Sequence, residues 1–280
     1  MIRNAESVSP PVVLTIAGID PSGGAGVIAD VRTFAAFGCY ATAAITSLTF
    51  QNTTGVFGAA HQSAATVGAQ VTAIIEDLVL NGAKTGMLPT REVIVEVARL
   101  FRENDLPAPV VDPVMRATSG DDLIDDDAVS YLVSDLFPLA QLVTPNIPEA
   151  ERLTSLRIVD VEGMKRAAQA IRQMGARAVL VKGGHLGNQS AGGSWQEAGQ
   201  AIDVLDEGGN VTVLSDELIA GGAFHGSGCT LSAAIAACLA KGMGLEEAVH
   251  SAKSFVTEAI RRSPDLGHGA RPLYVSPEDQ

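Results

Sequence analysis

The chain has 280 residues, 46% apolar and 18% charged, with a formal charge of −13. That composition excludes the polar, highly charged signature of disorder and leaves material for one large α/β domain over residues 1–280, with 1–10 and 275–280 expected as flexible ends. The acidic balance, without any Lys/Arg cluster, argues against nucleic acid as a partner, and every apolar stretch falls short of the roughly 18 residues of a membrane span.

The N-terminus MIRNAESVSPP lacks a basic flank followed by an apolar core, so the expectation is a cytoplasmic protein with no membrane partner. Cys39, Cys229 and Cys238 show no CxxC or CxxH spacing and read as free thiols of a reducing compartment. His61, His185, His225, His250 and His268 are scattered without HExxH, which gives no support to a zinc site.

Short apolar runs alternate with longer amphipathic stretches, the pattern of βαβ units around a mostly parallel sheet. Strands are expected at 12–17, 40–48, 83–85, 109–111, 141–144 and 178–181, followed by an antiparallel pair near 201–205 and 211–214. Helices are expected at 25–37, 64–80, 92–104, 126–137, 162–174, 227–241 and 245–262. The C-terminal edges of the strands deliver Gly18 and Asp20, then Gln51-Asn52, Gly86-Met87, Asp112, Asn146 with Glu149, and Lys182-Gly183-Gly184. Ligands of open α/β sheets bind beyond those edges, so these residues should converge on one cleft.

The run HGSGCT (225–230) is a Gly-rich turn directly before an apolar helix. Glycines at 226 and 228 leave bare N–H groups at the positive end of that helix, which can hold a phosphate without Lys or Arg. The plainer alternative is a loop capped by Ser227 or Thr230, and the local pattern leaves the two level. Neither GxxxxGK[ST] nor GxGxxG occurs, so P-loop and Rossmann readings lose support.

Read together, LTIAGIDPSGGAG (14–26), ITSLTFQNTTGV (45–56), KTGML (84–88), VVDPVM (110–115), TPNIPEAE (144–151), VKGGH (181–185), HGSGCTLSAAIAA (225–237) and AKSFV (252–256) resemble the hydroxymethylpyrimidine kinase / phosphomethylpyrimidine kinase family of thiamine biosynthesis, within the ribokinase-like superfamily. The resemblance spans nearly the whole chain. It implies a three-layer ribokinase-like fold, a homodimer, and ATP-dependent phosphorylation of 4-amino-5-hydroxymethyl-2-methylpyrimidine and then of its monophosphate, with Mg²⁺.

On the family's pattern, Gln51 hydrogen-bonds the aminopyrimidine, a task suited to an amide that both donates and accepts. Gly18 offers backbone groups, and Thr49, Met87 and Val114 shape the pocket. Asn146 and Lys182 attend ATP, and Asp112 and Glu149 attend Mg²⁺, in part through water. Gly226, Ser227, Gly228 and Cys229 form the catalytic turn. Cys229 stands where the superfamily usually has aspartate, and its place at a helix N-terminus favours the thiolate, so a general-base role is expected. Asp30 falls at a family position without an assigned role.

Two features depart from the family or stand apart from it. Ala223-Phe224 replace a polar pair before the turn, and the Gly/Ser-rich stretch 186–199 reads as a flap or a connection. Three rivals stay open: a pyridoxal kinase, a non-catalytic vitamer- or nucleotide-binding regulator, and a cysteine hydrolase that would need His225 as base to Cys229.

Overall fold

The protein is described from a computed structural model that covers residues 9–116, 120, 123–125, 127–184, 200–219 and 224–275. The apolar run β1 (Val12–Ile19) is buried along its length apart from its two ends, as befits a central parallel strand covered on both faces. It pairs in parallel with β2 (Tyr40–Asn52) and β4 (Gly82–Thr85). β5 (Val110–Val111), β6 (Leu142–Val143) and β7 (Ala178–Lys182) continue the parallel sheet.

Antiparallel strands close both ends. β3 (Gly55–His61) folds back on β2, and the hairpin β8 (Gln200–Glu207) and β9 (Asn210–Glu217) follows β7. Among the described residues the order is β3-β2-β1-β4-β5-β6-β7-β8-β9.

Side chains alternate across the strands and so feed two cores. Val13 belongs to the face covered by α1 (Gly26–Ala36), α7 (Ser227–Ala240) and α8 (Leu245–Arg261), whereas Leu14 and Ile16 face α2 (Ala64–Ile75), α3 (Arg91–Glu103), α5 (Ile147–Thr154) and α6 (Val161–Gln173). The result is a three-layer α/β fold.

The helix α7 is buried nearly all round, because its alanines let it press closely on the sheet. A Cβ at Gly82 would come within 2.9 Å of Ala240 Cβ and 3.0 Å of Ala236 O. Burying a side chain such as Ile235 here stabilises the fold by about 1.5–3 kcal/mol. This packing fixes the N-terminus of α7 at the C-terminal edges of the central strands.

Several expectations need correction. β2 runs on to Asn52 and returns as β3, a strand hidden in GVFGAAH because two glycines and two alanines mask its period-two signal. The eight-residue α5 was also not expected, and α2 stops at Ile75 rather than Leu80. The stretch expected as one helix over 126–137 is α-helical only in α4 (Ala128–Tyr131); it widens to a π turn over Leu132–Leu136 and tightens to a 3₁₀ turn over Phe137–Leu139 containing Pro138. Asp126, Ala223 and the stretch 186–199 lie outside the described residues. A small parallel pair joins β10 (Phe224–His225), just before α7, to β11 (Arg271–Pro272), which follows α8. Among the described residues no helix is long and apolar enough to cross a membrane.

Candidate active site

Gly226 caps α7 in the left-handed region, at φ 85°. A Cβ there would lie 1.8 Å from Gly24 O, so both the conformation and the close approach require glycine. Its carbonyl accepts the first intrahelical bond, from Thr230 N at 2.9 Å. The amides of Ser227, Gly228 and Cys229 have no intrahelical acceptor by position and carry the positive end of the helix. A Cβ at Gly228 would sit 3.1 Å from Lys182 Nζ, so the bare glycine lets an ammonium stand beside the turn. The Lys182 ammonium, expected beside ATP, thus stands at the turn.

Asp112 follows β5 and is 2% exposed. Its Oδ1 meets Lys182 Nζ at 2.9 Å and Thr144 Oγ1 at 3.3 Å, and its Oδ2 accepts from Ser232 Oγ at 3.3 Å. Burial alone would raise its carboxyl; the charges of Lys182 and Lys84 overcome that and hold it below the usual carboxylate range. Burial likewise opposes the Lys182 ammonium, yet Asp112 and Glu149 raise its pKa.

Asn146 and Glu149 form a capping box at the start of α5. Asn146 Oδ1 accepts from Glu149 N at 2.9 Å, and Glu149 Oε2 accepts from Asn146 N at 2.8 Å. The same two residues that the sequence assigns to nucleotide and metal thus also start a helix at the cleft. Burial pushes the Glu149 carboxyl up to about 7, against the pull of Lys182 and with Asp112 adding to the rise.

Among the described residues no group of three or more His, Cys, Asp or Glu could by itself hold a metal. Two buried carboxylates, one pushed up by the other's charge, still fit an ion that takes few protein ligands and completes its shell with water and phosphate oxygens.

Cys229 stands in the first turn of α7, half-buried. The thiolate expected there is not favoured: burial pushes the thiol up to about 11, Asp112 and Asp30 add to this, and the opposing pull of Lys84 and the Gly26 amide is too weak. Lys84 itself is fully buried and bound to Asp30 at 2.7 and 2.9 Å, with Thr15 Oγ1 donating to the same carboxylate at 2.6 Å. Burial opposes the Lys84 charge, but Asp30 keeps it protonated. Asp30, left without a role by sequence, is the counter-charge of this ammonium.

The residues expected to hold the acceptor lie at the ends of β1, β2 and β4 and after β5. A β-bulge falls between Ala17 and Gly18, and a Cβ at Gly18 would lie 3.0 Å from Met87 Sδ. Thr49 Oγ1 donates to Ile19 O at 2.8 Å, and Thr46 Oγ1 to Met87 O at 2.6 Å. Val114 is half-buried beside Asp112, donating its N–H to Asp112 O at 2.8 Å. Asp20 meets His225 Nε2 at 2.8 Å, and the Gln51 side chain stands near enough to help lower its carboxyl.

Residues that sequence reasoning left without a role include Lys84, Thr144, Ser232 and the pair Lys253–Asp203. Lys253 Nζ meets Asp203 Oδ2 at 2.5 Å, and Asp203 Oδ1 accepts from Gly183 N at 2.8 Å, steadying the backbone next to Lys182. KTGML and AKSFV contain both lysines, so the motifs pointed to them.

A parallel sheet whose strand ends face a glycine turn, with a lysine and two carboxylates beside it, defines a ribokinase-like small-molecule kinase. The chain belongs to the phosphomethylpyrimidine kinase family, whose model matches residues 20–274. It is 45% identical over 266 residues to the hydroxymethylpyrimidine/phosphomethylpyrimidine kinase of Rhizobium meliloti, covering 94% of this chain and 96% of that one. It is also 45% identical to the thiamine biosynthesis bifunctional protein of Geobacter sulfurreducens over 93% of this chain, and spans about half (51%) of that longer protein. A solved structure of Bacillus subtilis pyridoxal kinase in complex with ADP superposes with a TM-score of 0.85 at 35% identity, covering 96% of this chain and 99% of that one.

Proposed function

We propose that the protein transfers the γ-phosphoryl group of ATP to the hydroxymethyl group of 4-amino-5-hydroxymethyl-2-methylpyrimidine, and then phosphorylates the monophosphate. The observation that carries this reading is the first turn of α7, where bare amides and the Lys182 ammonium converge opposite the β1–β2 edge bearing Gly18, Thr49 and Gln51. Gln51 pairs with the ring edge, while Met87 and Val114 wall the pocket. The amides of Gly226, Ser227, Gly228 and Cys229 stabilise charge developing on the transferred group.

Lys182 is read as turning from Asp112 toward the ATP phosphates, and Asn146 as standing beside the nucleotide. Asp112 and Glu149 would hold Mg²⁺, which when bound neutralises phosphate charge. Burial raises the Cys229 thiol to about 11, so electrostatics and positioning lead in this reading and proton removal follows late.

The free thiols Cys39, Cys229 and Cys238 accord with a cytoplasmic setting. Phe50 and Phe57, 56% and 70% exposed on β2 and β3, accord with a homodimer joined through that edge.

The likeness to a pyridoxal kinase supplies a competing acceptor. ADP release measured with the pyrimidine and with pyridoxal, with products identified by mass, decides between them. Preference for the pyrimidine by at least about tenfold in kcat/KM is expected; preference for pyridoxal would replace the reading, and ADP release with neither would remove it. Light scattering on the same preparation should give twice the chain mass.

A further inference from the structure

Asp20 leaves the end of β1 and is 2% exposed. Its Oδ1 accepts from Ser22 N at 2.8 Å and from Ser22 Oγ at 2.7 Å. Its Oδ2 accepts from Gly24 N at 3.1 Å, Ala25 N at 2.9 Å and His225 Nε2 at 2.8 Å. The Gln51 side chain stands near enough to help lower this carboxyl. A carboxylate offers about four lone-pair directions, and here they are fully subscribed. Burial would raise such a carboxyl, but His225, Ser22 and Gln51 together hold it far below the usual range, so it stays ionised.

The Ser22, Gly24 and Ala25 donors shape the local turn, whereas His225 comes from a distant element. His225 directly precedes Gly226, and Gln51 lies at the acceptor end of β2. The turn after β1 and the turn before α7 touch at bare glycines: a Cβ at Gly24 would fall 2.4 Å from the His225 ring at Cδ2, and one at Gly226 would fall 1.8 Å from Gly24 O.

We infer that Asp20 is a positioning residue that clasps the acceptor-side turn and the phosphate-side turn in one register, so that an alcohol held at Gln51 meets a phosphoryl group held at Gly226–Cys229 in line. It rests on the functional reading above for which turn takes which reactant. Asp20 acts through His225 and through the turn that follows β1. Misplacing a reacting oxygen by about 1 Å lowers rates by roughly 10²-fold, so a clasp between the two turns bears on kcat more than on binding.

The test uses Asp20→Asn, His225→Ala, His225→Gln and the double variant Asp20→Asn/His225→Ala in the full-length protein. Steady-state kinetics with ATP and the pyrimidine are combined with amide hydrogen exchange over 22–26 and 225–230. Asp20→Asn and His225→Ala should each lower kcat by at least about 30-fold while both KM values stay within about threefold. His225→Gln, whose amide can still donate to Asp20, should recover part of the loss. The double variant should be no worse than the poorer single one, because the two residues act as a unit.

In Asp20→Asn, exchange over 225–230 should speed up although the partners lie 205 residues apart. Wild-type kcat with unchanged exchange in His225→Ala, or fully additive losses in the double variant, would overturn the clasp. If Asp20→Asn does not fold, the two His225 variants decide. A wild-type protein inactive on the pyrimidine would defeat the functional reading, whereas the exchange coupling would still decide the clasp.

Discussion

Two lysine–aspartate pairs flank the first turn of α7 and differ in what can reach them. Lys84 and Asp30 are closed in, both side chains at 0% exposure, with Thr15 as a third partner. Lys182 and Asp112 meet at a similar distance, but Lys182 is 13% exposed and stands against the bare Gly228. Desolvating two ions is offset in the closed pair only while both are present. The open pair leaves its ammonium at the rim of the turn. Under the proposed function the two pairs do separate jobs, fixed background and direct contact with phosphate, and burial tells them apart.

The comparison breaks most readily at the closed pair. Lys84→Met leaves Asp30 buried without its counter-charge and should lower stability by about 3–5 kcal/mol in urea unfolding. The double change Lys84→Met/Asp30→Leu should regain most of that. A loss under about 1 kcal/mol in the single variant would show that the pair is not holding the fold.

Lys182→Met should act on turnover instead. It should lower kcat/KM for ATP by roughly 10²-fold, about 2.7 kcal/mol of transition-state stabilisation, with a stability loss of only about 1 kcal/mol because Thr144 and Ser232 still donate to Asp112. Equal stability losses for the two lysine variants would erase the distinction.

The smallest effect concerns Glu149, whose charge reaches both members of the open pair. Its carboxyl is raised in the fold from 4.5 to about 7, so the native state binds the proton more tightly than the unfolded chain. Stability from this group is therefore full below pH 4.5 and is lost as pH rises through 7. Glu149→Gln keeps an acceptor for the capping box and should raise the stability of the metal-free protein at pH 8 by about 1 kcal/mol while reducing turnover. Parallel stability–pH curves for wild type and variant, in chelator, would clear Glu149 of the effect.

The central strands and the long helices were legible because their apolar runs and caps agree: β1, β7, α3, α6, α7 and α8 fall within a few residues of expectation. The edge hairpin β2–β3 was not legible, since Gly55, Gly58, Ala59 and Ala60 carry little pattern and its pairing is set by contact with β2. In the site, the strand-end rule brought out Asp112, Lys182 and Gln51. It could not assign Lys84, because a lysine inside a strand signals nothing until Asp30 of α1 is placed beside it. The thiolate expected at Cys229 failed for a related reason: helix polarity is local and readable, whereas burial and the neighbouring carboxylates come from distant segments.

The contact between Asp20 and His225 joins the start of the chain to its last quarter. On the ribosome, β1 emerges long before α7, the helix that covers β1, β4 and β5. Val13 and Val110 on that face are fully covered only once α7 has joined the early helix α1. The cleft is therefore completed late in translation, and a chain cut short before residue 225 would lack the turn at 226–229 and leave part of an apolar sheet face open, an invitation to chaperones or to aggregation.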